Sequence, residues 1–445
     1  MTRLVCVGSW LIGAVAHAQT SCPVEQNQGF AFSGKTVQTL KVEISKNADG
    51  SFSFPWPHLV GKPDSALLML KVRSNDAQPL LVRLSSGDTT SEQMFPAGGA
   101  GTRTLNASSF ANLNSGAVVA VQVSHGAIDF FEATLSLFKT ELPTNGTTLV
   151  LAPHPDDAEV GAFGLYASRK STVVTLTAGN AGEQNYCQLV PDPASHYRFK
   201  GEVRVIDSVT IPWQGGVPAS RAFNLGYFDG RLQTMFETPG TAVEELYVHN
   251  DDTLPYRKLN QAALLPLVSR KATWNNLVSD LKTILNRVRP TTIVIPDPRL
   301  DSHPDHQLTT VALSEALAKT KLTPTILLYT NHADHDRYPL GPTGQDFPLT
   351  SWCGTEPLPA LGFYAFAMNA EQQRRKLMAL ESMHDLRLAP SAQYDFGTPP
   401  DDRCQSKPGA PLGESTYFRR AVRSHEWFLV VDRTSLLKLV ADFIH

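Results

Sequence analysis

Two patterns of apolar and polar positions divide this chain. From residue 20 to 140, short apolar runs recur between turn residues: Ala66 to Val72, Pro79 to Leu84 and Ala117 to Val123. Ala133 to Phe138 alternates with period two, and Gly, Asn, Ser and Asp cluster between the runs. Period two is how a strand buries one face, and several such strands at short spacing predict an all-β sandwich over 19–141. Leu142-Pro143-Thr144-Asn145-Gly146 reads as a linker. From 147 onward, strand and helix patterns alternate. Strands are predicted at 149–152, 173–177, 292–295, 325–329 and 427–431, and helices at 199–209, 273–288, 308–319 and 371–383. In the second of these helices Trp274, Leu277, Leu281, Ile284, Leu285 and Val288 fall on one face, and Pro290 ends it. Such alternation predicts an α/β domain over 147–445, Rossmann-like, with a largely parallel, doubly wound sheet. Residues 334–362 and 389–415, rich in Pro, Gly and Asp, read as long loops over a site.

Composition narrows the class. The 445 residues, 42% hydrophobic and 18% charged, fit a globular protein of two or three domains. A net charge of -3 without a basic stripe argues against nucleic acid as a partner. Arg3, the apolar run Leu4 to Val15 and the small-x-small Ala16-His17-Ala18 read as a secretory signal cut after Ala18. That run is short for a bilayer span, and no other run reaches transmembrane length, so a secreted or periplasmic protein is expected. Cutting the signal removes Cys6 and leaves Cys22, Cys187, Cys353 and Cys404. In an oxidising compartment four cysteines make two disulfides, in one of three connectivities. Cys353 with Cys404 is the preferred pair, since both lie in loop sequence. No Cys-x-x-Cys pair is present, which argues against a thiolate zinc site.

The candidate chemistry sits at two strand ends. Pro153-His154-Pro155-Asp156-Asp157 follows the strand that ends at Ala152, and His303-Pro304-Asp305-His306 follows the strand that ends near Pro296. Ligand sites of open α/β sheets lie at the C-terminal ends of strands. A lone His-Pro-Asp is a surface turn; two copies, both after strands, point to one shared metal. His154, Asp157 and His306 offer a three-ligand set of the kind that holds a catalytic Zn²⁺ with an open position. Such an ion lowers the pKa of its water toward ~7. Asp156 and His303 remain as acid–base groups, and Asp305 is placed to orient one of the histidines.

These motifs, in this order, resemble the PIG-L/LmbE-like family of zinc-dependent N-acetylglucosamine deacetylases. Thr177-Ala178-Gly179-Asn180-Ala181-Gly182-Glu183 is similar to that family's Gly-containing loop, Leu225-Gly226-Tyr227-Phe228-Asp229-Gly230 to its Leu-Gly-x-x-Asp-Gly segment, and Arg289-Pro290 also fits. The resemblance covers roughly 147–385 and leaves the sandwich outside. It implies zinc on His154, Asp157 and His306, with Asp156 as general base. It implies that His303 stabilises the oxyanion and assists amine departure, with Asp305 tuning it, and that Asp229 contacts sugar hydroxyls. The family's helix Arg maps to Arg198 or Arg204, between which the spacing does not choose. One position departs: the family's Glu after the second Asp is displaced here by Ala158 to Glu159.

The remaining polar groups carry plainer readings. Asn331 to Asp336, with His332 and His335, is a candidate second metal cluster but reads first as a solvated loop; Asp401-Asp402 reads as a solvated turn. His384 reads as a capping residue, and Trp213, Trp352 and Tyr364 as packing rather than sugar platforms. The expected protein is an exported zinc deacetylase acting on an N-acetylated amino sugar of a glycan, with the sandwich as an accessory glycan binder. The alternatives are a zinc amidase on a non-sugar amide and a glycan-binding protein with a degenerate catalytic domain.

Overall fold

The computed structural model describes residues 29–34, 38–74, 77–129, 131–182, 186, 189–261, 269–333, 338–341, 343–350, 352, 354, 356–384 and 417–444. The expected signal segment 1–18, all five cysteines, Glu183, the 334–336 part of the His-rich segment and Asp401-Asp402 lie outside them.

The N-terminal third is built of antiparallel strands in two five-stranded sheets. One sheet centres on Ser65–Ser74, paired with Ala100–Asn106, Glu132–Phe138 and Gly126–Ile128. The other centres on Leu80–Ser86 and Val118–Ser124. Alternate residues of both meet in one core: Leu68, Leu70, Leu105 and Leu135 from the first, Val82, Leu84, Val119 and Val121 from the second. The period-two pattern of these segments is the imprint of that core.

From Thr147 the chain forms a mixed seven-stranded sheet. Its strands are β1 (Thr147–Ala152), β2 (Lys170–Thr177), β3 (Ala222–Tyr227), β4 (Thr292–Pro296), β5 (Thr325–Tyr329), β6 (Gly362–Ala367) and β7 (His425–Val431). The order across the sheet is β3-β2-β1-β4-β5-β7-β6. The first five are mutually parallel, whereas β7 runs antiparallel to both β5 and β6. Helices α1 (Asp157–Ala167), α2 (Pro193–Thr210), α3 (Leu232–Glu237), α4 (Trp274–Val288), α5 (Pro304–Ala318), α6 (Ala370–Glu381) and α7 (Arg433–Ile444) surround it. On β1, Leu149 and Leu151 pack in one core with Leu281 of α4 and Val311 of α5. Val150 and Ala152 pack in another with Phe163 of α1 and Ala379 of α6. Burial on both faces is why this strand reads as an unbroken apolar run rather than as alternation.

Sequence expectations for the sheet hold at four of its five parallel strands and miss both of its edges, β3 and β6. Helices α1, α3 and α7 are also absent from the sequence expectation, and the last strand, β7, runs antiparallel in a sheet expected to be largely parallel. No helix among the described residues is long and apolar enough to cross a membrane.

The two regions pack on each other. Phe138 of the N-terminal region meets Phe363 of β6 edge-on, with centroids 5.7 Å apart. The Ala365 N–H of β6 donates to Ser65 Oγ at 3.0 Å. The buried Asp346 carboxylate accepts from Asn106 Nδ2 at 3.0 Å and Ser91 Oγ at 3.3 Å, and lies 3.3 Å from His425 Nδ1.

Candidate metal centre and active site

His154 and Asp157 sit on the turn from β1 into α1, and His306 lies in the first turn of α5, which follows β4. Parallel pairing of β1 with β4 brings those strand ends together. Three atoms then form a nearly equilateral triangle. His154 Nδ1 is 3.2 Å from Asp157 Oδ2, His306 Nε2 is 3.1 Å from that oxygen, and the two nitrogens are 3.2 Å apart. Ligands of a four-coordinate zinc with bonds of about 2.0–2.1 Å stand about 3.3 Å from one another, so the donor set fits such an ion.

The surroundings fix which nitrogen faces inward. His154 Nε2 lies 3.2 Å from Asp305 Oδ2 and 3.3 Å from Asp229 Oδ1. His306 Nδ1 lies 3.0 Å from Asp301 Oδ2. Each ring donates its outer N–H to a carboxylate and turns its other nitrogen to the triangle, the usual support of a metal-bound histidine. Asp157 is held in turn: its Oδ2 accepts the His154 N–H at 2.8 Å and its Oδ1 accepts Asn331 Nδ2 at 2.9 Å.

The charges tell the same story. Burial opposes a charge on His154, but Asp229, Asp157 and Asp305 outweigh it and hold the ring well above its ordinary value. Burial likewise opposes a charge on His306, yet Asp157 and Asp301 lift it to about 10. Asp157, although buried, is held well below the carboxylate range by His306 and His154. These carboxylates pull positive charge into the triangle, and a divalent cation would take the place of the protons.

Asp156 stands beside the triangle. Burial pushes its carboxyl up to about 6, with Arg204 pulling down and Asp157 pushing up. Arg204 of α2 donates to Asp156 Oδ2 at 2.9 Å and to the Gly179 carbonyl at 3.1 Å. Gly179 has φ +63°, and a Cβ there would come within 2.6 Å of the Arg204 guanidinium, so the Gly loop after β2 is a seat for that arginine. Arg198, one helical stretch earlier, turns elsewhere: it donates to Glu245 Oε1 at 2.8 Å. The structure thus brings Arg204 to the site and Arg198 to its support. Glu245 also accepts from Asn180 Nδ2 at 2.7 Å, and Asn180 Oδ1 accepts the Asp229 N–H at 3.1 Å.

His303 caps α5. Its Nδ1 accepts the Asp305 N–H at 3.2 Å, so a neutral ring carries its proton on Nε2 and presents a donor. Burial, then the neighbouring His154 and His306, pushes this ring down to about 4, and the N-terminal end of a helix also disfavours a cation. The Asp305 carboxylate does not bond His303. It accepts from Gly230 N–H at 2.7 Å and Leu232 N–H at 3.3 Å and reaches His154. Asp305 therefore orients His154 directly and acts on His303 through its backbone N–H and its charge, which raises that ring against the larger pull of burial, His154 and His306.

Other expectations change as well. His332 is not in a solvated loop. Its ring lies 4.8 Å from that of His306 and 5.5 Å from that of His303, centroid to centroid. Glu159 is buried and accepts the Tyr166 hydroxyl at 2.8 Å. His384 bonds Asp207 by both its backbone N–H, at 2.9 Å, and Nδ1, at 2.7 Å. Trp213 is exposed rather than packed, and Tyr364 stacks on Phe428. Sequence reasoning missed Asp301, Asn331, Asn180 and Glu245. Asp301 stands two residues before His303, and that proximity to the motif was the one local signal.

One comparison with known proteins covers the segment that carries the triangle. Residues 149–317 match the family model of PIG-L, GlcNAc-PI de-N-acetylase. No curated protein matches the chain. Among solved structures, the chain is similar to the 4-carboxy-2-hydroxymuconate hydratase GalB of Pseudomonas putida KT2440, at 14% identity over 41% of this chain and TM-score 0.27. It spans 65% of that hydratase. A xylan-binding module, CBM15, is covered over 100% of its length and 24% of this chain at 12% identity and TM-score 0.16. The acetyl xylan esterase Est2A of the rumen bacterium Butyrivibrio proteoclasticus matches 68% of this chain and 88% of its own at 11% identity and TM-score 0.17. TM-scores of this size establish no common fold. The triangle and the groups that orient it therefore lie, but for Asn331, in a PIG-L domain, consistent with a PIG-L/LmbE-like family.

Proposed function

We propose that this chain is an exported, zinc-dependent hydrolase that removes the N-acetyl group from an N-acetylated amino sugar in a glycan or glycoconjugate. The observation that carries the reading is the donor triangle of His154, Asp157 and His306, with edges of 3.1–3.2 Å, inside the matched PIG-L segment. PIG-L membership suggests deacetylase chemistry on N-acetylated sugars. A zinc ion held there supplies an activated water near neutral pH and polarises the amide carbonyl.

The chain's own groups do the rest. Asp156, anchored by Arg204, accepts the proton of the attacking water. His303, neutral and with its Nε2–H free of the helix cap, donates a hydrogen bond to the developing oxyanion. Asp156 then returns its proton to the departing amine, the role expected of His303, whose buried ring is held neutral. Asp305 and Asp301 keep the two histidines turned inward. Asp229, at the rim of the same cluster, is the group for a sugar hydroxyl, and Arg198 steadies Glu245 behind it. The two N-terminal sheets about one core are read as a sandwich that assists glycan binding. Export rests on the signal at 1–18.

Elemental analysis together with acetate release from chitooligosaccharides and peptidoglycan fragments tests the proposal. Bound zinc with acetate release supports it. Zinc with release only from non-sugar amides replaces the substrate, and absence of both zinc and activity removes the enzyme reading.

A further inference from the structure

Beside the triangle stands a fourth imidazole that the matched segment does not include, because it ends at 317. His332 follows β5, and its backbone is pinned. Its carbonyl accepts from Ser302 N–H at 2.7 Å and Ser302 Oγ at 2.9 Å, and its N–H donates to Asp301 Oδ2 at 3.2 Å. Asp301 is the carboxylate that orients His306, so one acidic group holds the His306 ring and the His332 backbone. The ring of His332 lies parallel to Tyr417, with centroids 5.8 Å apart and planes 7° apart. The Tyr417 hydroxyl donates to the Asn331 carbonyl at 2.8 Å, and Asn331 holds Asp157. Donor atoms of Asp157, His306 and His332 lie within 4.8 Å of one another.

We propose that His332 is a fourth protein donor to the divalent metal held by His154, Asp157 and His306. The inference rests on the reading of that triangle as a zinc centre. Ligands of such an ion stand about 3.3 Å apart, so towards Asp157 and His306 the His332 donor atom has at most about 1.5 Å to close. A turn about its side-chain torsions covers that. Among the described residues its ring makes only face and edge contacts, to His303, His306 and Tyr417, and no hydrogen bond holds it in place. His303 is the competing imidazole, but its Nδ1 is committed to the helix cap. Three imidazole nitrogens and one carboxylate oxygen form a set that suits zinc and other late transition ions over Mg²⁺ or Ca²⁺. Substrate carbonyl oxygen would then enter by adding to this set or by displacing His332.

The test compares the parent with His332→Phe, which keeps a flat ring against Tyr417 but has no donor, and with His332→Ala. Zinc affinity is read by chelator competition, and coordination by the visible spectrum of the Co²⁺-substituted proteins. Loss of a donor is expected to weaken zinc binding by about 10–100-fold or more. It is also expected to change the Co²⁺ bands, and free imidazole added to His332→Ala is expected to restore them. A parent that binds zinc, with variants equal to it in affinity and spectrum, overturns this inference and leaves the zinc centre standing. A parent that binds neither ion overturns both. Thermal melts confirm that the variants are folded when the comparison is made.

Discussion

Asp301 shows how much of this site is held by residues that no motif contains. Its carboxylate takes the His306 ring N–H and the backbone N–H groups of Asn331 and His332, while its Oδ1 takes that of His303. Asp301→Asn is expected to weaken metal binding by about 10–100-fold, as removal of an outer partner of a metal-bound histidine does. Unchanged affinity in a chelator competition contradicts that role. Asp156→Asn is expected to keep its metal and lose about 10²–10⁴ in kcat. A near-normal kcat in the metal-loaded variant removes Asp156 from base catalysis. The six charged and imidazole groups of the two motifs were legible in the sequence because each motif is contiguous and follows an apolar strand. The roles of Asn331 and Glu245 were not, and His332 stood only in a candidate second cluster apart from the first, because these residues arrive through pairing of β4 with β5 and through loop packing, which local spacing does not encode.

Among the elements, α1 carries a break that its sequence does not announce. Ala162 has φ −149°, so the helix ladder is interrupted there. The exposed backbone groups find buried partners: Gly164 and Leu165 N–H donate to Glu426 of β7, both at 2.9 Å, and Lys376 of α6 donates to the Val160 carbonyl at 2.8 Å. Lys376 and Glu426 also pair with each other at 2.9 Å. The ion pair thus plugs a helix whose first turn bears Asp157. Lys376→Met leaves the Glu426 charge buried alone and is expected to cost about 3–5 kcal/mol. Urea unfolding reads this, and a loss under about 1 kcal/mol, within the range of exposed pairs, contradicts the assignment. Four of the five parallel strands were legible from their apolar runs, and α4 from its one-sided face; β3, whose run holds Asn224 and Gly226, was not. Strands β6 and β7 were harder: β6 borrows its register from β7 and its edge partner, Ser65, from the N-terminal region.

Across the whole molecule the two regions share a buried polar contact at Asp346, which joins Ser91 and Asn106 to His425. Burial opposes a charge on His425, but Asp346 outweighs it and raises the ring above its ordinary 6.5. A raised folded value means that this contact stabilises most below the ordinary value and fades as pH rises through the folded one. The Tm advantage of the parent over His425→Gln is therefore expected to be largest near pH 5.5 and to shrink as pH rises; an advantage that grows with pH contradicts it. Removing residues before Thr147 would expose Phe363 and leave Asp346 without its two N-terminal partners, so the truncated protein is expected to melt earlier or precipitate rather than behave as a free-standing domain. A truncated protein that melts at the parent's temperature contradicts the packed interface. The central claim, that the triangle of His154, Asp157 and His306 is a zinc centre for deacetylation, is tested most directly by titrating zinc into metal-free protein while following acetate release from an N-acetylglucosamine oligosaccharide. The expected result is activity that starts at zero and rises in proportion to bound zinc up to one ion per chain; full acetate release by the metal-free protein, or none at one bound ion, contradicts it.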